Sequence, residues 1–334
     1  MKTIIMKFGG YSLAEIEKIK IASNRVAFAK RKGYAVILVL SAPADITNDL
    51  SNLATRTTGI KNPTKKSMKR ELSALLIAGE QISISLMAML LNKHGVKATS
   101  FNAWQAQIIT EDDHTQAEIL KIKTKNINNA LKKGVVAVVA GFQGINKLGE
   151  ITTLGRGGSD LTAVALSKAF KAEICELYTD VKGVYTTNPS LNPRAKKLKY
   201  ITYTELKELS LCGFEVRQLK AIDYAKKHKI KLHIRSAFHN QDGTIVTFEK
   251  SPFAKKNMPV CVTLKRFEKF SKVYLIGQNL KNNASILPLI KKIAQEAKIP
   301  FNKIKTSSHK IEITTGFCQG ERLLKIIHKT FFKA

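Results

Sequence analysis

Hydrophobic and polar positions follow two different periods along the first 240 residues. The runs at 34–44 (YAVILVLSAPA) and 135–144 (VVAVVAGFQG) are nearly continuous in apolar residues, which is typical of strands buried on both faces. Residues 14–33 instead place apolar side chains at helical spacing and end in a glycine. Strands that alternate with helices predict βαβ units and a mostly parallel sheet covered by helices on both faces.

The remaining segments of this region continue the alternation. The pattern predicts strands at 3–12, 96–104 and 173–187, the last with its loop, and helices at 71–95, 118–134 and 159–172. The segment at 71–95 reads as one long helix that ends in glycine, and 118–134 reads as a helix throughout. The fold class we expect is therefore α/β.

The sequence changes in character after about residue 240. Residues 239–260 are polar and rich in turn formers, and the pattern that follows predicts a small α+β unit of two strands and two helices. We expect a main domain at 1–245, a connector at 246–268 and a small C-terminal domain at 269–334.

Composition indicates a globular protein and argues against a membrane-spanning or secreted one. With 334 residues, 44% of them hydrophobic, the chain is long and apolar enough to fold around a substantial core. No apolar run approaches the ~20 residues of a membrane span, and the start does not read as a signal peptide. The four cysteines are widely spaced and suggest no metal site. We expect a cytoplasmic protein without a membrane partner.

The charge is unusual, because 56 basic residues face 25 acidic ones and leave a net charge of +31. Nucleic-acid binding is one reading of such a balance. The alternative is a general enrichment in lysine, and the scattered lysines, with no aromatic residues interleaved in a basic motif, favour it. We therefore expect no nucleic-acid partner, but a surface that attracts anionic ligands.

Glycines collect where the predicted strands end. Gly9 and Gly10 follow the first strand, and three more glycines stand in TTLGRGGSD (152–160), just before a helix. Glycine lets backbone N–H groups approach an anion closely, and a helix N-terminus adds favourable partial charge. Lys7 precedes the first pair and can reach the same crevice. Spacing alone predicts a phosphate or carboxylate site, although each pair taken singly reads as an ordinary turn.

Seven short blocks resemble the aspartate kinases, and they stand in the order found in that family. They are KFGGYS (7–12), VLSAPADITNDL (39–50), AGEQIS (78–83), WQA (104–106), AGFQG (140–144), TTLGRGGSDLTA (152–163) and YTDVKGVYTTNP (178–189). The resemblance covers residues 1–240, and residues 270–334 resemble an ACT domain. It implies an eight-stranded amino acid kinase sandwich with one ACT-like unit.

The resemblance also assigns roles to residues. For L-aspartate, it implies a guanidinium fork from Arg156 to a carboxylate, a charge partner for the ammonium in Glu80, hydroxyls from Ser41, Thr47 and Ser159, and the backbone of Gly158. For phosphoryl transfer it implies Lys7, Gly9, Gly10 and Asp160, and for the nucleotide also Thr179, Asp180 and Tyr185. The cofactors it implies are ATP and Mg²⁺.

The reaction expected from this resemblance is phosphorylation of the β-carboxylate of aspartate, the first step toward lysine, threonine and methionine. The carboxylate is already ionised near pH 7, so no general base is required. A second hypothesis is a catalytically impaired homologue that binds an amino acid or regulates. A third is a kinase of the same fold with another substrate, and the pairing of Glu80 with Arg156 argues against a nucleotide as that substrate.

Several residues depart from the family pattern. Tyr11 stands where a threonine is usual, Ser190 replaces an arginine, and Glu215 replaces a phosphate-facing lysine. Pro43 and Ala44 replace a flexible Met-Gly pair. These changes favour weaker handling of ATP.

The C-terminal region also departs from the family pattern. It holds only one ACT-like unit where the family carries two, and it has an apolar helix that we expect to be uncovered. These features predict a homodimer through residues 269–334.

Overall fold

The computed structural model describes residues 1–213, 219–249 and 257–332. Within it the chain divides into two compact units. The first comprises residues 1–182 and 223–242, and the second comprises 183–222 and 243–334. The division into 1–245, 246–268 and 269–334 remains a prediction.

The expected mostly parallel sheet of eight strands is confirmed. Six strands belong to the first unit, in the order β11-β9-β1-β2-β6-β3, and all their recorded pairings are parallel. Their bounds are Thr3–Phe8 (β1), Ala35–Leu40 (β2), Ala98–Phe101 (β3), Val136–Ala140 (β6), Ile174–Thr179 (β9) and Leu232–Ser236 (β11). The other two strands, Tyr200–Thr202 (β10) and Thr244–Thr247 (β12), form a parallel pair in the second unit.

The core of the first unit follows from the apolar runs. Every residue of β2 and of β6 is buried, as expected for strands covered on both faces. Helices of this unit include Ile16–Arg31 (α1), Ile46–Thr58 (α2), Lys66–Leu76 (α3), Ala78–Lys93 (α4), Ala103–Ala106 (α5), Lys125–Lys132 (α6) and Gly158–Ala169 (α7). Ala22 and Val26 of α1 join Ile84, Met87 and Leu91 of α4 in one buried cluster with the strands.

A smaller sheet in the first unit corrects one prediction. The segment at 118–134 is a strand followed by a helix, not a helix throughout, since Ile119–Ile122 forms β5 ahead of α6. Its apolar residues pair with Ile108–Thr110 (β4), and the sheet continues through Gln143–Ile145 (β7) and Ile151–Thr153 (β8) in the order β5-β4-β7-β8. The β-branched residues Ile119 and Ile122 suit this strand, and the pairing with β4 overrides the helical spacing.

The long apolar segment at 71–95 is almost continuous helix, divided at Ile77 into α3 and α4. The stretch Lys66–Lys93 is long and apolar enough to cross a membrane by length and composition. Its apolar residues Ile84, Met87 and Leu91 are nevertheless buried against the parallel sheet. One face of the stretch therefore packs on the core of the first unit.

The second unit holds a four-stranded antiparallel sheet in the order β13-β14-β16-β15. The strands are Cys261–Arg266 (β13), Phe270–Ile276 (β14), Phe301–Thr306 (β15) and Lys310–Gly316 (β16), and the helices are Tyr203–Leu211 (α8), Ile286–Glu296 (α10) and Gly320–Phe331 (α11). A further helix, α9, spans Leu219–Lys227. The stretch expected to be a connector contains β13 and part of β12.

The apolar helix face expected to be uncovered is in fact covered. Ile286, Ile290 and Ala294 of α10 are buried in the core of the second unit, beside Leu323 and Ile327 of α11. The second unit buries this face with its own residues, because α10 and α11 pack on the same sheet. This face is therefore not a reason for the chain to pair with a second copy.

Candidate active site

A cavity of about 500 Å³ opens in the first unit beyond the carboxyl ends of β1 and β2. In parallel α/β sheets this is the edge where ligands bind. Eight of the residues predicted from the sequence line it: Lys7, Gly10, Ser41, Thr47, Glu80, Arg156, Gly158 and Ser159. They come from four separate stretches of chain, so the fold gathers most of the predicted aspartate and phosphate residues around one space.

Lys7 and Asp160 form a buried ion pair at this cavity. Lys7 lies on β1 and Asp160 in the first turn of α7, and Lys7 Nζ lies 2.7 Å from Asp160 Oδ1. The two residues are only 6% and 5% exposed. Removing either partner would leave a buried charge uncompensated, which is strongly destabilising. Asp160 thus holds the lysine ammonium in place at the cavity wall.

Glu80 is the second buried charge of the wall. It lies in the first turn of α4 and is 3% exposed, and its Oε1 accepts a hydrogen bond of 2.9 Å from the backbone N–H of Ala42. Its Oε2 has no hydrogen-bond partner among the described residues. Burial raises the pKa of Glu80 to about 7, although the backbone N–H groups of Ala42 and of Glu80 itself and the charge of Lys7 act in the opposite direction. A buried acceptor without a donor is suited to a ligand that brings one.

Close backbone approach explains two of the predicted glycines. A Cβ on Gly10 would lie 2.8 Å from the carbonyl oxygen of Ala42, and one on Gly158 would lie 2.7 Å from Cβ of Leu154. Gly9 is different, because a Cβ there would meet Lys7 Nζ only at 3.6 Å, an ordinary contact. Any larger residue at Gly10 or Gly158 would force the loops that line the cavity apart.

The loop before α7 turns sharply enough to place Arg156 at the cavity. Gly155 and Gly157 adopt φ values of 76° and 74°, a region that favours glycine, so the two glycines flank the arginine. Arg156 is exposed, whereas Ser159 is buried at the start of the helix. The cavity lining thus contains an exposed guanidinium at Arg156 and a buried carboxyl group at Glu80.

The predicted nucleotide residues stand at the end of β9 and beyond it. Thr179 is the last residue of β9, and its hydroxyl donates to Asp180 Oδ1 at 2.8 Å. These two residues belong to the first unit, and Tyr185 belongs to the second. Within the second unit Tyr185 is half-buried and forms an antiparallel bridge with Lys197. Their joint role in binding a nucleotide remains a prediction.

Tyr11, a departure from the family pattern, points away from the cavity. The ring of Tyr11 packs edge-on against Phe238, and Lys18 Nζ lies 3.8 Å from its centre. The side chain is more than half exposed and is not among the residues that line the cavity. Pro43 does line the cavity. The bulk of Tyr11 therefore takes no space from the cavity.

Two other departures concern the nucleotide. Ser190 is exposed, and its backbone N–H donates to the side chain of Asn188 in the second unit. Glu215 lies outside the described residues, as does the neighbouring Arg217. The effect of both departures on ATP binding remains a prediction.

The sequence analysis missed Thr115 and Gln116, which also line the cavity. Asp113 fixes their turn, because its Oδ1 accepts the backbone N–H groups of both residues. The Gln116 side chain packs against the backbone of Gly155, where a Cβ would lie only 2.3 Å from it. The segment belongs to none of the seven blocks, and polar residues in a turn give no signal of their own.

A polar cluster of the small sheet resembles a metal site in composition. Ligand atoms of Asp112, His114 and Glu150 lie within 4.8 Å of one another. Asn146 Nδ2, however, donates to both carboxylates, and the ammonium of Lys66 pairs with Asp112. Cationic and amide donors thus already hold the carboxylates, and we assign the cluster to the stability of this sheet.

A second buried glutamate lies on the parallel sheet away from the cavity lining. Glu176 accepts hydrogen bonds from Tyr178 Oη at 2.8 Å and from Arg235 Nη1 at 2.7 Å, and His233 Nδ1 lies 3.7 Å away. Burial alone would raise the pKa of Glu176, but His233, Arg235 and Tyr178 together hold it at about 2. This carboxylate is ionised and satisfied by the protein itself.

Comparison with known proteins decides the family. A sequence model described as the amino acid kinase family matches residues 2–236, well over half of the chain. The chain belongs to the amino acid kinase family. The family assignment agrees with the eight-stranded sheet and with the cavity at the carboxyl ends of its strands.

Two similar proteins have a more specific name than the family. An aspartokinase of Geobacillus stearothermophilus is 46% identical over 251 residues, which are 75% of this chain and 60% of that protein. Aspartokinase 2 of Bacillus subtilis is 44% identical, with the same two shares of 75% and 60%. The match therefore spans less than two thirds of the length of either relative.

Solved structures extend the likeness to nearly the whole chain. The aspartate kinase of Synechocystis covers 98% of this chain at 30% identity with a TM-score of 0.64, and the match is 55% of that protein. E. coli aspartokinase III, in complex with aspartate and ADP, covers 99% of this chain and all of that one with a TM-score of 0.82. Its identity is 20%, so this second likeness concerns the fold alone.

Proposed function

We propose that this chain is an aspartate kinase that transfers the γ-phosphoryl group of ATP to the β-carboxylate of L-aspartate. One observation carries the proposal: the cavity wall holds a buried carboxylate oxygen, Glu80 Oε2, that has no donor among the described residues, and an exposed guanidinium at Arg156. An α-amino acid offers the matching charges, because its ammonium can donate to Glu80 and a carboxylate can bind Arg156. Relatives named aspartokinase at 46% and 44% identity support aspartate as that amino acid.

The chemistry required of the protein is positioning and charge stabilisation. The β-carboxylate attacks phosphorus and the bond to the bridging oxygen of ADP breaks, which gives 4-phospho-L-aspartate and ADP. The nucleophile has a reference pKa of about 4 and is ionised without a base. Lys7, held by Asp160, and the backbone N–H groups at Gly9 and Gly10 stabilise the negative charge of the transferred group.

ATP is the expected donor, with Mg²⁺ as its counter-ion. Thr179, Asp180 and Tyr185 are the nucleotide residues of the proposal. The exposed carboxylate of Asp180 offers an oxygen of the type that Mg²⁺ prefers, so this chain has a donor that fits the ion. When bound with ATP, the ion would neutralise phosphate charge.

We propose that residues 269–334, in the second unit, form an ACT-like domain through which two chains associate. Four antiparallel strands backed by α10 and α11 support the first part. The sheet edges are β13 and β15, and β15 carries the exposed Lys303 and Lys305, which disfavour pairing along that edge. On the other edge, β13, the N–H of Val262 already donates to Thr186, so we place the proposed homodimer contact in the second unit without assigning it to either edge. Sedimentation at micromolar concentration tests it, and a monomer there would overturn it.

The assay that tests the function follows ADP release with L-aspartate, ATP and Mg²⁺, and traps the acyl phosphate with hydroxylamine. We expect saturable, aspartate-dependent formation of the hydroxamate. Matched reactions with L-asparagine, which lacks the nucleophilic carboxylate, are the control and should give none. The absence of aspartate-dependent product, with L-aspartate still binding, would favour the impaired homologue.

We expect the cytoplasm as the location and amino-acid biosynthesis leading to lysine, threonine and methionine as the pathway. Both follow from the proposed activity.

A further inference from the structure

The last helix of the second unit carries a buried histidine with a partner far away in the sequence. His328 of α11 is 2% exposed, and its Nε2 lies 2.8 Å from the hydroxyl of Thr186. The two residues are 142 positions apart. Thr186 directly follows Tyr185, which the proposed function places at the nucleotide.

Thr186 is a junction of several contacts within the second unit. Its N–H donates to the carbonyl of Lys196 at 2.8 Å, and its carbonyl accepts from the N–H of Val262 on β13 at 2.8 Å. Its hydroxyl accepts from the N–H of Lys196 at 3.0 Å. With His328, every polar group of Thr186 is used, and the segment that carries Tyr185 is fixed to β13 and to α11.

The donor in the contact to His328 follows from the protonation of the ring. Burial and the charge of Lys196 lower the pKa of His328, so its imidazole is neutral near pH 7. A neutral ring with its proton on Nδ1 presents Nε2 as an acceptor. In that tautomer the Thr186 hydroxyl, which already accepts from the N–H of Lys196, donates its own proton to Nε2. An apolar side chain at position 328 cannot reproduce this contact.

We propose that His328 is a positioning residue for the nucleotide, which acts through Thr186 on the segment that carries Tyr185. This inference rests on the proposed function, because Tyr185 has its nucleotide role only there. It gives the C-terminal helix a part in ATP binding although the helix itself supplies no side chain to the nucleotide. Aspartate binding, which the proposal assigns to the cavity of the first unit, is not part of this role.

A merely structural role predicts something different. His328 also stacks on Phe332, with ring centres 5.0 Å apart, so the side chain fills core space as well as accepting a hydrogen bond. If His328 only fills space in the core, a substitution changes stability according to the volume of the new side chain and leaves nucleotide affinity unchanged. A positioning role makes nucleotide affinity depend on the acceptor.

The test compares His328→Leu, which fills the space without an acceptor, with His328→Gln, which offers an amide near the position of Nε2. We expect the Leu variant to bind a fluorescent ATP analogue about three- to tenfold more weakly, the effect of one hydrogen bond, and to raise the KM for ATP equally. The KM for aspartate should change less than twofold. The Gln variant should recover most of the affinity.

The matched control is Thr330→Val on the same helix, because the Thr330 hydroxyl donates back to Ile326 of its own helix at 3.0 Å. It should bind the analogue like the unaltered protein. Equal nucleotide affinity of the Leu variant and the unaltered protein overturns the inference alone. Failure of the unaltered protein to bind the analogue overturns the proposed function and the inference with it.

The contact can also be tested from its other side if His328→Leu does not fold. Thr186→Ser keeps the hydroxyl, and Thr186→Val removes it at nearly constant volume. Weaker nucleotide binding by the Val variant than by the Ser variant supports the inference, and equal binding contradicts it.

Discussion

Two buried glutamates of the first unit are held in opposite ways. Glu176 lies on the sheet with Arg235 and Tyr178 as partners, and its pKa is about 2. Glu80 lies at the cavity with one oxygen bonded to a backbone N–H and the other without a partner in the part of the chain that the structure describes, and its pKa is about 7. Both are buried.

The difference separates a carboxylate that serves the fold from one that serves a ligand. Where the protein supplies all the donors, the charged form is stable and the group contributes to folding. Where one oxygen is left without a donor, the charged form costs free energy until a cation arrives. Such an arrangement is expected at a binding site and would be a defect elsewhere.

The largest effect expected is on stability, from Glu176→Gln. The change leaves the Arg235 guanidinium without its anionic partner, and we expect a loss of about 3 kcal/mol in the free energy of unfolding. Urea denaturation at pH 7.5 measures it, with Glu80→Gln as the control that should lose far less. A loss below about 1 kcal/mol would mean that Glu176 is not the structural member of the comparison.

Glu80→Gln should have the next largest effect, and on substrate binding. The amide cannot compensate an ammonium, so we expect the KM for aspartate to rise about 30- to 100-fold, or about 2–3 kcal/mol. The KM for ATP should stay within about twofold. An unchanged KM for aspartate in initial-rate assays would remove Glu80 from the substrate site.

Arg156→Lys keeps the charge at the cavity and removes the planar fork. We expect kcat/KM for aspartate to fall about tenfold, because a lysine ammonium cannot bind a carboxylate in bidentate fashion. Arg31→Lys, on the exposed end of α1, is the matched control and should change nothing. Equal aspartate kinetics in both variants would contradict the role of Arg156.

The last expected effect is on how the stability of the ligand-free protein depends on pH, and it is tested with Glu80→Gln. Because the pKa of Glu80 in the folded protein, about 7, lies above its ordinary value of 4.5, the folded state holds its proton more tightly. Its contribution to stability is present at low pH and is lost as the pH rises from 4.5 through 7. The Tm of Glu80→Gln relative to the unaltered protein should therefore increase by a few degrees between pH 5.5 and 8. A constant difference would mean that Glu80 is ionised throughout.

The sequence was sufficient for most of the fold because burial on both faces leaves a clear pattern. The runs in β2 and β6 are apolar throughout and became central strands. The strand β5 was missed because it forms by pairing with β4, and the local sequence pattern does not show such a pairing. The bounds of β13, within the stretch expected to be a connector, likewise depend on its pairing with β14.

The site was predicted unevenly. Lys7 and Arg156 were found because their motifs are distinctive, whereas Gln116 stands in an ordinary polar turn. The sequence could not show that Glu80 has a free oxygen and Glu176 has none, because both facts depend on donors from other segments. For the same reason the orientation of Tyr11 could be learned only from Phe238 and Lys18.

The central claim is that Glu80 binds the ammonium of the substrate. The release of a proton when aspartate binds tests this claim most directly. At pH 6.5 a carboxyl with a pKa near 7 is roughly three-quarters protonated, and an ammonium ligand requires its ionised form. Calorimetric titration of L-aspartate, with a non-hydrolysable ATP analogue present, is run in two buffers of different ionisation enthalpy. We predict release of about 0.7 proton per aspartate bound by the unaltered protein and none by Glu80→Gln. Binding without any dependence on the buffer would contradict the account.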